Sequence, residues 1–117
     1  MIGENNMTKE QLQDLLTTAF EGGANYWYMI DNHNKSETKA EFLSQLLAEK
    51  NGWMEIIDTQ TPESEIYTVD YSWVKRAIET MKTKYPRHYK DVIEENADAT
   101  TGDVFLQLIV FNEVIYG

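Results

Sequence analysis

Between Asp98 and the C-terminus, Thr100, Thr101 and Gly102 open a run in which Val104, Phe105, Leu108, Ile109 and Phe111 are apolar, with Asp103, Gln107 and Glu113 set into it. A helix of this make-up, expected from near Thr101 to about Asn112, has to be covered by the rest of the chain. Its few polar side chains must then find partners, because an unpaired buried polar group costs roughly 1–3 kcal/mol. Gln107 is therefore expected to be buried and hydrogen-bonded, to backbone or to a polar group from the turn at Glu21-Gly22-Gly23. The fold class this points to is α+β: four or five helices packed on a small antiparallel sheet, with the C-terminal helix central.

The rest of the chain supplies those elements in order. Residues 1–7 read as a loose tail. Thr8 followed three residues later by Gln11 has the form of a capping box, and Leu12, Leu15, Leu16, Ala19 and Phe20 then line one helix face. Gly22 and Gly23 are expected to end that helix as left-handed C-caps. Asn25 to Ile30 reads as a short strand and Asp31 to Lys35 as a polar turn. Ser36 is placed to cap a second helix with the stripe Phe42, Leu43, Leu46 and Leu47, closed by Asn51-Gly52. Trp53 to Asp58 and Ile66 to Val69 read as an antiparallel pair around a loop containing Pro62. Asp70 caps a third helix whose inner face is Val74, Ala77, Ile78 and Met81, and Pro86 ends it. Tyr89, Val92 and Ile93 suggest a short fourth helix, and Val114 to Tyr116 a short closing strand.

A chain of 117 residues with 42% hydrophobic and 26% charged residues is expected to fold as a single domain, 1–117. The absence of cysteine excludes a disulfide framework and a thiol nucleophile. No apolar run approaches the ~18 residues of a membrane span, and no basic-then-apolar leader opens the chain, so a soluble, cytoplasmic protein is expected. The net charge is −10, unevenly spread. Six bases (Lys75, Arg76, Lys82, Lys84, Arg87, Lys90) stand against Asp70 and Glu79 in residues 70–90, whereas residues 91–117 hold six acids and no base. Such a chain repels nucleic acid at long range, so no direct nucleic-acid contact is expected.

Several chemistries find no support. The phosphate-binding loop and the dinucleotide fingerprint are absent, and no serine sits in a nucleophile elbow. His33 and His88 have no second His or Cys at ligand spacing, and Asp98 to Asp103 lacks the closing glutamate of a calcium loop; neither metal nor cofactor is expected. A hydrolase using Glu21, Asp98 and Asp103 has no motif behind it. Two features could bind. Glu21-Gly22-Gly23 lets backbone approach closely, and Tyr26 and Trp27 behind it could stack on a planar group. The plain structural alternative is a helix cap followed by a core strand. The basic segment with Tyr85, His88 and Tyr89 interleaved could meet an anion, Arg76 and Arg87 being the preferred phosphate contacts, although such a segment is commonly a solvated helix face.

Glu21-Gly22-Gly23-Ala24-Asn25-Tyr26-Trp27 resembles the Glu-Gly-Gly-x-x-Tyr-Trp element of a family of small phage-encoded proteins of unassigned activity. The end, with Asp98-Ala99, Asp103-Val104, Gln107, Phe111, Glu113 and Tyr116-Gly117, is similar to that family's closing pattern, departing from it at Asn112, where glycine is expected, and at Gly102, where a residue such as alanine is expected. The resemblance covers both ends, leaves about 28–95 unmatched, and implies a phage origin without a known chemistry. The resulting expectation is a non-enzymatic accessory protein of the infected cell's cytoplasm that counters a host antiviral defence by binding. It would sequester a small nucleotide-type signal or inhibit a defence protein, with homo-oligomers compatible with either. The ligand-binding residues would be Glu21, Asn25, Tyr26, Trp27, Arg76, Arg87, Asp98, Asp103 and Gln107. The alternative is an acidic mimic of DNA that occupies a nucleic-acid-binding host protein. The two motif-bearing ends are expected to meet, with Glu21, Asn25 and Trp27 against Asp98, Asp103 and Gln107.

Overall fold

The computed structural model describes residues 6–23 and 26–116. Its elements follow the order α1 (Lys9–Thr18), a π turn (Ala19–Gly23), β1 (Tyr28–His33), two 3-10 turns (Lys35–Glu37 and Leu43–Ala48), β2 (Trp53–Asp58), β3 (Ile66–Asp70), α2 (Tyr71–Lys84), α3 (Pro86–Ile93) and α4 (Ala99–Phe111). The fold is α+β, with the helices packed on a three-stranded antiparallel sheet of order β1-β2-β3. Helix α4 is central. Thr101, Gly102 and every residue from Val104 to Val110 are buried, and the helix packs against α1, α2, α3, β3 and the π turn.

Local chemistry sets most boundaries. The capping box forms: the Gln11 N–H donates to Thr8 Oγ1 (3.1 Å), and the Thr8 N–H donates to Gln11 Oε1 (3.0 Å). Asp70 Oδ1 accepts the Ser72 N–H at 2.9 Å and starts α2. Pro86 does more than end α2. It opens α3 at the first helical position, where a missing N–H costs nothing. Asn112, left-handed at φ 59°, ends α4.

Five expectations need correcting. No single helix spans 36–51, which holds two 3-10 turns instead. The Asn34 side chain donates to Asn51 O (2.6 Å) and accepts the Trp53 N–H (2.8 Å), which brings the ends of the segment together. A straight fifteen-residue helix would hold them about 22 Å apart. Phe42 is 60% exposed as a result. Strand β1 does not stop at Ile30; it runs on through a register shift between Ile30 and Asn32 to His33, on a sheet edge where polar side chains meet water. Val114–Tyr116 is not a strand, because the Gln107 side chain takes the Ile115 and Tyr116 amides. Asn6 and Met7 are not loose, since the Met7 N–H donates to the Tyr89 hydroxyl (3.0 Å) and Lys82 donates to Asn6 (3.2 Å), and residues 1–5 of the expected tail lie outside the described residues.

The last correction concerns the paired glycines. No described glycine has positive φ, so Gly22 is not a left-handed cap. A methyl group added there would meet nothing within 4 Å, so neither is it a point of close approach. Against this turn the close approach comes from Gly102, where an added Cβ would lie 2.8 Å from Ala19 N and 2.9 Å from Ala19 Cα. Helix α4 thus crosses the start of the π turn with backbone on backbone.

Candidate functional site

Asp103 is the hub of a polar cluster between α4, the approach to β1 and the C-terminal tail. Its Oδ1 accepts Trp27 Nε1–H (2.9 Å) and Gln107 Nε2–H (3.0 Å), and its Oδ2 accepts the Tyr26 hydroxyl (2.7 Å). Gln107, one turn along α4, also donates to Tyr116 O (3.0 Å) and accepts the Ile115 and Tyr116 N–H groups at 2.8 Å each. Its amide thereby stands in for a strand neighbour and pins the tail.

The cluster continues to a residue that the sequence reading did not single out. The Tyr116 hydroxyl reaches the Asp58 carboxylate (2.8 and 3.0 Å), which is 1% exposed and also accepts the Gln60 N–H (2.9 Å). Gln60 closes the loop by donating to Tyr26 O (3.1 Å). The signal for Asp58 was present: alternation along Trp53–Asp58 turns Met54, Ile56 and Asp58 to one face, and all three are buried. A carboxylate at an inward register position must be answered by donors, here a phenol and an amide.

Burial and bonding shape the electrostatics. Partial burial, followed by the Asp103 carboxylate that accepts its proton, pushes the Tyr26 phenol up to about 12. Tyr116 is likewise held above its ordinary value, by burial and then by Asp58. Asp98 goes the other way: the Thr101 N–H, then the Thr101 hydroxyl, hold its carboxyl below the usual range. Among the described residues, no buried side-chain nitrogen or oxygen lacks a partner. The arrangement ties α4, the approach to β1, the end of β2 and the C-terminal tail together through engaged side chains.

The expected meeting of the two ends is therefore realised in part. Tyr26, Trp27, Asp103 and Gln107 come together. Trp27 has no exposed surface; its ring lies 5.2 Å from Phe111, 5.3 Å from Tyr28 and 5.8 Å from Tyr116, so it is core and offers no face for stacking. Glu21 is exposed on the π turn and shares no hydrogen bond or ion pair with the described cluster. Asp98 is an exposed N-cap bonded to Thr101, not to Asp103. Asn25 lies outside the described residues. Arg76 donates to Ile109 O (3.2 Å) and sits over the Trp73 ring, and Arg87 is exposed on α3; neither is bonded to the cluster. A cleft of about 740 Å³ lies elsewhere, between the start of α1, the 3-10 segment and α2, and none of the eight described residues of the expected site lines it.

Among the described residues no group of three or more His, Asp or Glu is placed to hold a metal ion, and no helix is long and apolar enough to cross a membrane. No protein-family model, curated protein or solved structure matches the chain.

Proposed function

We propose that this chain is a phage accessory protein that counters a host antiviral defence by binding a defence protein, without chemistry of its own. The observation that carries this reading is the segregation of surface charge. All six bases of residues 70–90 are exposed on the consecutive helices α2 and α3, while the chain as a whole is at −10. The one ion pair among the described residues is Lys9–Glu49 (3.8 Å), so none of the six is paired with an acid within 4 Å. Opposed fields on one small body favour oriented encounter with a charged protein surface and disfavour wrong partners. The engaged polar cluster supports the same reading, since Asp103 and Asp58 act as internal ties.

A second reading, the acidic mimic of DNA, draws on a different face. Asp14 of α1 and Glu95 from the α3–α4 connection line one groove of about 180 Å³, and Glu95 belongs to the base-free stretch 91–117 that also holds Glu94 and Asp98.

Expression of the chain in hosts that each carry a single antiviral defence tests both. The protein-binding reading expects phage plating to recover at least about tenfold against one defence, and Lys84→Glu/Arg87→Glu to abolish the recovery. Recovery that survives this variant but is lost in Asp14→Lys/Glu95→Lys transfers the function to the acidic face. No recovery against any defence would overturn the proposal.

A further inference from the structure

Only four bases lie outside residues 70–90: Lys9, Lys35, Lys39 and Lys50. Three of them, Lys9, Lys39 and Lys50, line the cleft of about 740 Å³, although up to 41 positions separate them in sequence. In a chain with twice as many acids as bases, this gathering is produced by the fold and not by local composition. Lys9 is matched by Glu49 at 3.8 Å, but among the described residues Lys39 and Lys50 have no carboxylate within ion-pair reach. Glu37 is the other acid of the lining, so three lysines against two glutamates leave the cleft a surplus of one positive charge.

The remaining walls fix the kind of anion. Leu12 and Ala48 are buried, Ile78 and the Tyr71 ring half-buried, and together they give an apolar side against which a flat organic body can lie. Thr8, Ser36 and Asn51 add hydroxyl and amide groups at the rim. Ligand sites typically span roughly 300–1,000 Å³ and combine apolar walls with a few convergent polar groups, and this cleft has both properties. A bare inorganic ion would leave the apolar side unused, and a neutral ring would leave the lysines unused.

We propose that this cleft binds a nucleoside monophosphate, with the phosphate between Lys39 and Lys50 and the base against Tyr71, Ile78 and Leu12. No member of the Asp103 cluster and none of the six bases of α2 and α3 lines the cleft, so the proposal stands or falls independently of the protein-binding reading.

The test is a titration of the isotope-labelled full chain with AMP, GMP, CMP and UMP, followed by amide NMR. At least one nucleotide is expected to shift the Lys39, Lys50, Tyr71 and Ile78 amides saturably, with a Kd below about 1 mM. Inorganic phosphate and the matching nucleoside should each bind about tenfold more weakly or worse. Lys39→Glu/Lys50→Glu, at two exposed positions, should melt as the parent does and lose at least about tenfold in affinity. Lys84→Glu/Arg87→Glu should leave nucleotide binding unchanged. The proposal is overturned by absence of saturable shifts with all four nucleotides, by shifts confined to residues 82–90, by an equal response to phosphate alone, or by full binding in the Lys39→Glu/Lys50→Glu protein.

Discussion

A single hydrogen atom in place of a methyl group at Gly102 lets α4 lie on the π turn, and this contact makes the two glycine-bearing segments unequal. Gly102→Ala forces a Cβ to within 2.8 Å of the Ala19 backbone nitrogen. Backbone cannot swing aside as a flexible side chain would, so a loss of about 1–3 kcal/mol is expected, in the range of core overpacking. Gly22→Ala meets open space at an ordinary φ, and restricting the unfolded chain should leave stability unchanged or raise it by up to about 1 kcal/mol. Urea unfolding of the two variants checks the contrast, and equal effects would refute it. Asp103 is the other decisive position. Trp27, Tyr26 and Gln107 all donate to its carboxylate, and Asn would remove the charge and turn one acceptor into a donor facing other donors. Asp103→Asn is expected to cost about 1.5–3 kcal/mol, the scale of hydrogen bonds to a charged group. If the variant melts normally but no longer counters the defence, the cluster is a binding site and not a tie.

Among the elements, the C-terminal tail is held by side chains instead of strand pairing, and its anchors can be released one at a time. Tyr116→Phe removes the phenol from Asp58, leaving a carboxylate that is 1% exposed with the Gln60 amide as its remaining donor. A loss of about 1–3 kcal/mol is expected, together with faster exchange of the Ile115 and Tyr116 amides with solvent. Alkali probes the same region. Tyr26, Tyr28 and Tyr67 are each pushed up to about 12, in every case first by burial. A phenol whose folded pKa lies above the unfolded value near 10 stabilises the fold fully below that value, and the contribution is lost as pH rises from about 10 to 12. The tyrosinate absorbance of these three phenols should therefore appear late and together with unfolding; their ionisation near pH 10 in folded protein would contradict this. These anchors also show where the sequence was legible. The capping box at Thr8, the Asp70 cap, the alternation in Trp53–Asp58 and the apolar run of α4 are local signals, and local physics decided those elements. The lost helix at 36–51, the π turn and the tail depend on Asn34 meeting Asn51, Gly102 meeting Ala19, and Gln107 meeting Tyr116. Each of these is a contact between distant or unlike groups that no periodicity encodes. The same holds for the site, where Trp27, Asp103 and Gln107 were legible as polar or aromatic residues in need of partners, while their separation from Arg76 and Arg87 was not.

At the scale of the whole molecule, the charge pattern sets up a competition that salt can resolve. Twenty acids against ten bases on a body whose longest extent is 44 Å repel one another on average, which favours the expanded state. Attraction between the basic α2–α3 faces and the acidic remainder works in the opposite direction. Magnitudes decide between the two. At about 0.01 M salt the screening length is roughly 30 Å, so most pairs of charges across the molecule interact, and the net −10 dominates. At about 0.15 M it is roughly 8 Å, and only near neighbours still interact. Among the described residues the one near pair of opposite sign within 4 Å is Lys9–Glu49, so screening removes much repulsion and little specific attraction. The melting temperature is therefore expected to rise by about 2–5 °C between those two salt concentrations, a change of roughly 1 kcal/mol for a domain of this size. Calorimetry at fixed pH measures it directly. A fall over the same range would mean that attraction between the basic faces and the acidic remainder holds the fold together. In that case the six bases are spent internally and are not free to meet a partner, and the protein-binding reading loses the observation on which it rests.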